Sequence, residues 1–197
     1  SWSVMWDPKY SGEILTFNNS RDAFGVAQYL LGYDVNSTNP DEWRAAEEKL
    51  KEQKPLIQSY VMDEVFNKME AGEAAMAPYY AGDYLTMKQE NDDLAFVYPK
   101  EGTNKFVDVM CIPSSSENKK AAELFINYMC EPEVALHNAN YLGYLCPVTA
   151  VLSDDRYEYK DNEVLYPKQE VKTQFFHNLD QDTLDLLSKL WEDLKLA

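Results

Sequence analysis

Between Glu13 and Leu31 the chain reads as a short apolar run, a polar triplet and an amphipathic stretch, and this order constrains the fold more than any other feature. Glu13 to Phe17 has the length and content of a strand. Asn18, Asn19 and Ser20 are residues whose side chains accept from the free N–H groups at a helix start. Phe24, Ala27, Tyr29, Leu30 and Leu31 then share one broad face, and Gly32 stops the run. Strand, cap and helix make the first half of a βαβ unit, which predicts an α/β sheet flanked by helices. Ligands of open α/β sheets sit beyond the C-terminal ends of the strands, which makes Asn19 and Asp22 candidate binding residues. Both also have a purely structural reading, because asparagine caps helices and the helix dipole favours an acid in the first turn.

The alternation continues. Asn39-Pro40-Asp41 starts a charged helix that runs to about Lys54, and Leu56 to Tyr60 is the next strand. Asp63 to Glu70 is a short helix, and Ala74 to Tyr80 is a strand feeding a helix that ends near Glu90. Tyr79 and Tyr80 stand at that strand's end, so one is expected to face the core and the other a ligand. Leu94 to Tyr98 is another strand. Further helices are expected from about Asn118 to Cys130, from Pro132 to Asn140, from Lys168 to Asn178 and from Asp182 to Lys195. Asp154 to Glu163 reads as polar and mobile.

The stretch from Phe96 to Pro113 holds two apolar runs around a Lys-Glu-Gly-Thr-Asn-Lys turn. Its second run carries a single acid, Asp108. Desolvating a lone carboxylate costs several kcal/mol, so such a residue either meets a cation or stays at the surface. In a strand Phe106 shares a face with Asp108. An aromatic ring and a carboxylate on one face suit an organic ammonium group, and a surface acid on an edge strand is the plain alternative.

The totals exclude several functions. A net charge of −16 leaves no basic face for nucleic acid or for an anionic membrane, and is permissive for cationic ligands. There is no run of about 20 apolar residues that could span a membrane. No signal peptide opens the chain, and Ser1 is not a natural start, so a targeting segment is expected to have been removed or left out. Cys111, Cys130 and Cys146 have no metal spacing and read as small buried apolar residues. His137 and His177 are too far apart to suggest zinc. There is no phosphate-binding glycine loop, no Gly-x-Ser-x-Gly elbow and no His-Glu-x-x-His helix. No metal, cofactor or catalytic residue is predicted, and the chain is not expected to be an enzyme.

Six motifs lie in one order along the chain: Trp6-Asp7-Pro8-Lys9-Tyr10, Asn18-Asn19-Ser20-Arg21-Asp22, Tyr98-Pro99-Lys100-Glu101-Gly102, Phe106-Val107-Asp108, Gly143-Tyr144 and Leu165-Tyr166-Pro167. In them the chain resembles the spermidine/putrescine-binding proteins of bacterial ABC importers. The resemblance implies a periplasmic-binding-protein-like (type II) α/β fold with a mixed sheet. It implies a protein that captures a polyamine outside the cytoplasm, often lipid-anchored, and delivers it to a membrane permease. Carried over by position, Asp22 and Asp108 look like the acids that meet the amines. Tyr80 and Phe106 look like the aromatics that box the methylene chain, where the family often has Trp, and Tyr144 matches a cleft tyrosine. A further polar residue is implied between Gln174 and His177. The family commonly has an acid where this chain has Asn19, an amide that accepts a bond from an ammonium group but adds no charge. Its members are also much longer, so the chain is expected to be a C-terminal fragment. Residues 1–102 and 151–197 would build the second lobe, and 103–150 would return to an incomplete first lobe. Self-association of such a fragment is expected. The alternatives are a binding protein for another small solute, such as a sugar, and a glycoside hydrolase using Asp22 and Asp108 as paired carboxylates.

Overall fold

Strand β1 (Ile14–Phe17) is buried along its whole length. It pairs in parallel with β2 (Ile57–Val61), with Ile14 opposite Ile57 and Phe17 opposite Val61. Parallel strands need both faces covered, and helices supply the cover. The computed structural model describes all 197 residues. Helix α1 (Ser20–Leu31) follows β1 through the Asn19 cap, and α2 (Pro40–Gln53) starts at the Asn39 cap with proline in its first turn. With the C-terminal helix α8 (Gln181–Leu196) they enclose one core, in which Phe24 and Ala27 meet Trp43, Ala46 and Leu50, and Leu187, Leu190 and Leu194 close the other side. A second core joins Leu15 and Val61 to Val65 and Met69 of α3 (Glu64–Glu70) and to Met87 of α4 (Ala81–Glu90).

The chain divides into two units. Unit 1 is Ser1–Tyr79, Met87–Phe106 and Glu170–Ala197, and unit 2 is Tyr80–Thr86 and Val107–Gln169. The expected boundary at 102 lies four residues before the unit edge at Phe106, whereas residues 80–86 and 151–169 cluster with unit 2. In unit 1, β3 (Thr103–Lys105) pairs in parallel with β4 (Thr173–Phe175). Unit 2 holds α5 (Lys119–Met129), α6 (Pro132–Leu142) and α7 (Thr149–Leu152) around a small core of Ala135, Leu136, Ala139, Val151 and Tyr157.

Several expected elements differ. The strand expected over Ala74–Tyr80 is a single parallel bridge from Met76 to Ile14, because Pro78 has no N–H with which to extend a ladder. Leu94–Tyr98 alternates between half-buried and exposed side chains, as an extended chain does, but joins no ladder. The run after Phe106 is also outside any sheet, with Val107 70% and Val109 75% exposed. The polar turn at 100–105 supplies β3, and the helix expected over Lys168–Asn178 is replaced by β4, since pairing with a distant strand overrides local propensity. Cys111 and Cys130 are exposed, on surfaces that nothing in unit 2 covers, and Cys146 is half-buried against the unit 2 core. Within the polar stretch 154–163, Tyr157 is a core residue.

Candidate functional site

Unit 1 builds its candidate residues on the first turn of α1. The Asn19 carbonyl oxygen accepts from the Arg21 and Asp22 backbone N–H groups, at 2.9 and 3.2 Å. Both of its lone pairs serve the cap, so this side chain acts through the helix start that presents Asp22. Asp22 is 9% exposed. Its Oδ1 accepts from Asn104 Nδ2 of β3 at 3.3 Å. Asn104 lies opposite Gln174 of β4. Gln174 Nε2 reaches Asp34 at 3.5 Å. Phe106, two residues after Asn104, is 42% exposed. Nearby, burial followed by the charge of Asp34 pushes the Tyr29 hydroxyl up to about 12.

Unit 2 gathers the others. Tyr80 immediately precedes α4, and its carbonyl accepts from the Tyr84 N–H at 3.0 Å. Three residues on, Asp83 Oδ1 accepts from the Tyr144 hydroxyl at 2.9 Å. Tyr144 follows Gly143, whose backbone at φ +69 closes α6. The Tyr144 ring lies flat against Gly82, where a Cβ would overlap it, so only glycine fits there. Burial, the bond to Asp83, and the charges of Asp83 and Asp108 together push the Tyr144 hydroxyl far above its ordinary value. The phenol therefore stays protonated and donates to Asp83. Asp108 is exposed. Tyr79, in unit 1, stacks on Phe17 at 5.7 Å and meets Phe66 edge-on at 6.3 Å.

Asn19, Asp22 and Phe106 thus belong to unit 1, and Tyr80, Asp108 and Tyr144 to unit 2. Asp83 and Asn104 were missed. Each reads locally as an acid in a helix turn or a residue of a polar turn, and the partner that reveals it lies 61 or 82 residues away. No three His, Cys, Asp or Glu side chains are arranged to hold a metal ion. No helix is long and apolar enough to cross a membrane.

Parallel strands under helices, with carboxylates set beside aromatics and amides, suit the capture of a small solute. The chain belongs to the family of bacterial extracellular solute-binding proteins, which matches residues 1–165. It is 32% identical over 170 residues to the spermidine/putrescine-binding periplasmic protein of Escherichia coli, covering 86% of this chain and 49% of that one. It is 26% identical to the putrescine-binding periplasmic protein PotF of the same species, covering 92% and 52%. The structure of the spermidine/putrescine ABC transporter substrate-binding protein PotD of Streptococcus pneumoniae aligns with a TM-score of 0.82 at 30% identity, covering 99% of this chain and 61% of that one. The fold is therefore the α/β fold of periplasmic binding proteins. The chain spans about half the length of the curated relatives it matches.

Proposed function

We propose that the chain is part of a solute-binding protein that captures a polyamine, spermidine or putrescine, outside the cytoplasm and passes it to an ABC-transporter permease without chemical change. One observation carries this reading. In unit 2 a protonated phenol, Tyr144, sits under the influence of two carboxylates, Asp83 and Asp108, an arrangement that attracts a cation and offers it oxygen acceptors. Asp22 of α1 in unit 1 offers a second carboxylate setting, beside Asn104 of the strand that leads to Phe106. The named activities of the relatives agree with this chemistry. A sugar would call for neutral donors and acceptors in place of clustered acids, and a glycosidase would need a carboxylate pair held at a fixed separation. Titration calorimetry with spermidine and putrescine tests the proposal, with chromogenic glycosides as the control for turnover. Asp108→Asn should weaken polyamine binding about tenfold, the loss of one charged hydrogen bond. Turnover of a glycoside, or affinity unchanged by the substitution, would reject it.

For the 197-residue chain as it stands, we also propose association with a second copy. In unit 2 Val107, Val109 and Met110, and Leu124, Phe125 and Tyr128 of α5, are exposed. Exposed large apolar side chains seek a partner, and among copies of this chain the matching surface is the same set on another molecule.

A further inference from the structure

Arg21 stands one residue before Asp22, where a positive charge would oppose an ammonium ligand. Its guanidinium is turned to neutral oxygens. Nη1 donates to the Val35 carbonyl at 2.6 Å, and Nη2 to Asn36 Oδ1 at 3.0 Å and to the His177 carbonyl at 3.3 Å. Phe176 and Trp43 flank it, with ring centroids 4.7 and 5.5 Å from the guanidinium carbon. Asn36 extends the tie. Its Nδ2 donates to the Phe175 carbonyl at 2.8 Å, and its Oδ1 also accepts from the His177 N–H at 2.7 Å. The three residues after Gln174 are therefore each held by Arg21 or Asn36. Strand β4 needs that help, because three residues paired with three make a ladder too short to stand alone. The partner strand, β3, carries the Asn104 that meets Asp22.

We propose that Arg21 is a positioning residue of the unit 1 half-site. It clasps the end of β4, and through the β3–β4 pairing it sets Asn104 beside the Asp22 carboxylate and Gln174 beside Asp34. A lysine would keep the charge and lose the function, since three diverging acceptors and two flanking rings fit a planar fork and not a point donor. The effect on affinity rests on the polyamine reading; the clasp itself does not.

The test uses the full chain with Arg21→Lys and, separately, Asn36→Ala. Hydrogen exchange without ligand should quicken about tenfold at the amides of Thr173–His177 and Thr103–Lys105, while α2 and α8 keep their rates. Spermidine titration should show about tenfold weaker binding in each variant. The double variant should be no worse than either single one, because both cut the same clasp. Unchanged exchange at 173–177 overturns the inference. So does uniform quickening across unit 1 with unchanged affinity, which would mark an ordinary stabilising residue, or tighter binding in Asn36→Ala than in the parent. If the parent binds neither spermidine nor putrescine, the polyamine reading fails, and the exchange pattern still decides the clasp.

Discussion

Strand β1 and the run Val107–Ile112 are both short apolar segments rich in β-branched residues, yet they end in opposite surroundings. Every β1 side chain is buried between helices and pairs with β2. Val107 and Val109 stay exposed and join no sheet. Helices show the same contrast. In unit 1, α2 buries Trp43, Ala46 and Leu50, whereas in unit 2, α5 buries none of its residues despite an equally regular apolar stripe. Amphipathic pattern records what a segment is suited to cover. Whether it is covered depends on what the rest of the unit supplies.

The largest expected effect follows directly. Trp43 is fully buried against Phe24 and donates its indole N–H to the Ser37 carbonyl at 2.8 Å. Trp43→Ala should cost about 3–5 kcal/mol in urea unfolding followed by circular dichroism. Phe125→Ala, at a ring 57% exposed, should change stability by no more than about 0.5 kcal/mol. A cost above about 2 kcal/mol for Phe125 would break the contrast between the units. Light scattering sharpens it further. The parent chain should show a mass that rises with concentration, and Leu124→Lys combined with Phe125→Lys should leave a monomer of unchanged secondary structure. A parent that is monomeric at every concentration removes the proposed self-association.

The candidate residues of the two units differ in the same sense. Asp22 is buried in the first turn of α1 and Asp108 is exposed. Buried charge is screened by salt far less than exposed charge. Asp22→Asn and Asp108→Asn should each weaken spermidine binding, by about 1.5–3 kcal/mol at most at low salt. Raising the salt should shrink the Asp108 effect more than the Asp22 effect. Tyr80→Ala and Phe106→Ala, about 0.5–2 kcal/mol each, should respond least to salt, because close contact with a ring owes less to long-range charge. Equal salt dependence in all four variants would erase the distinction.

What could be read from the sequence follows how local each signal is. The β1–α1 unit was legible because its cap, its apolar face and its terminating Gly32 lie within 20 or so residues, and Asn39-Pro40 announced α2 in the same way. The α8 stripe of Leu184, Leu187, Leu190, Trp191 and Leu194 was legible for that reason too, although Leu184 at its start is exposed. Strand β4 was not, since Thr173–Phe175 becomes a strand only by pairing with β3, far back in the chain. Asp83 was not, because its tyrosine partner lies in another helix's terminal turn. The exposed cysteines were misread for a related reason: a small apolar residue reports that it can be buried, and Cys111 lies on a run that nothing in its unit covers.

The smallest expected effect concerns how unit 2 is held where its core is thin. Arg156 forks between two carboxylates. It donates to both Glu133 oxygens of α6 at 2.7 and 3.0 Å, and to Asp154 at 2.8 and 3.1 Å, and so pins the chain beside Tyr157. These hydrogen bonds hold the Asp154 carboxyl down to about 2, below its ordinary 3.8. A carboxyl lowered in the folded chain stabilises it at pH values above the ordinary one, and that stabilisation disappears as pH falls through the lowered value. The window is therefore about pH 4 to about pH 2. Carbon-detected NMR should place the Asp154 midpoint near 2, and Arg156→Lys, which cannot make the fork, should return it most of the way to 3.8. Because the group lies in water, the accompanying change in stability should be slight and should fade in high salt. A midpoint near 3.8 in the parent would mean the fork does not persist in solution, leaving the small core around Tyr157 to hold this part of unit 2 by apolar contact alone.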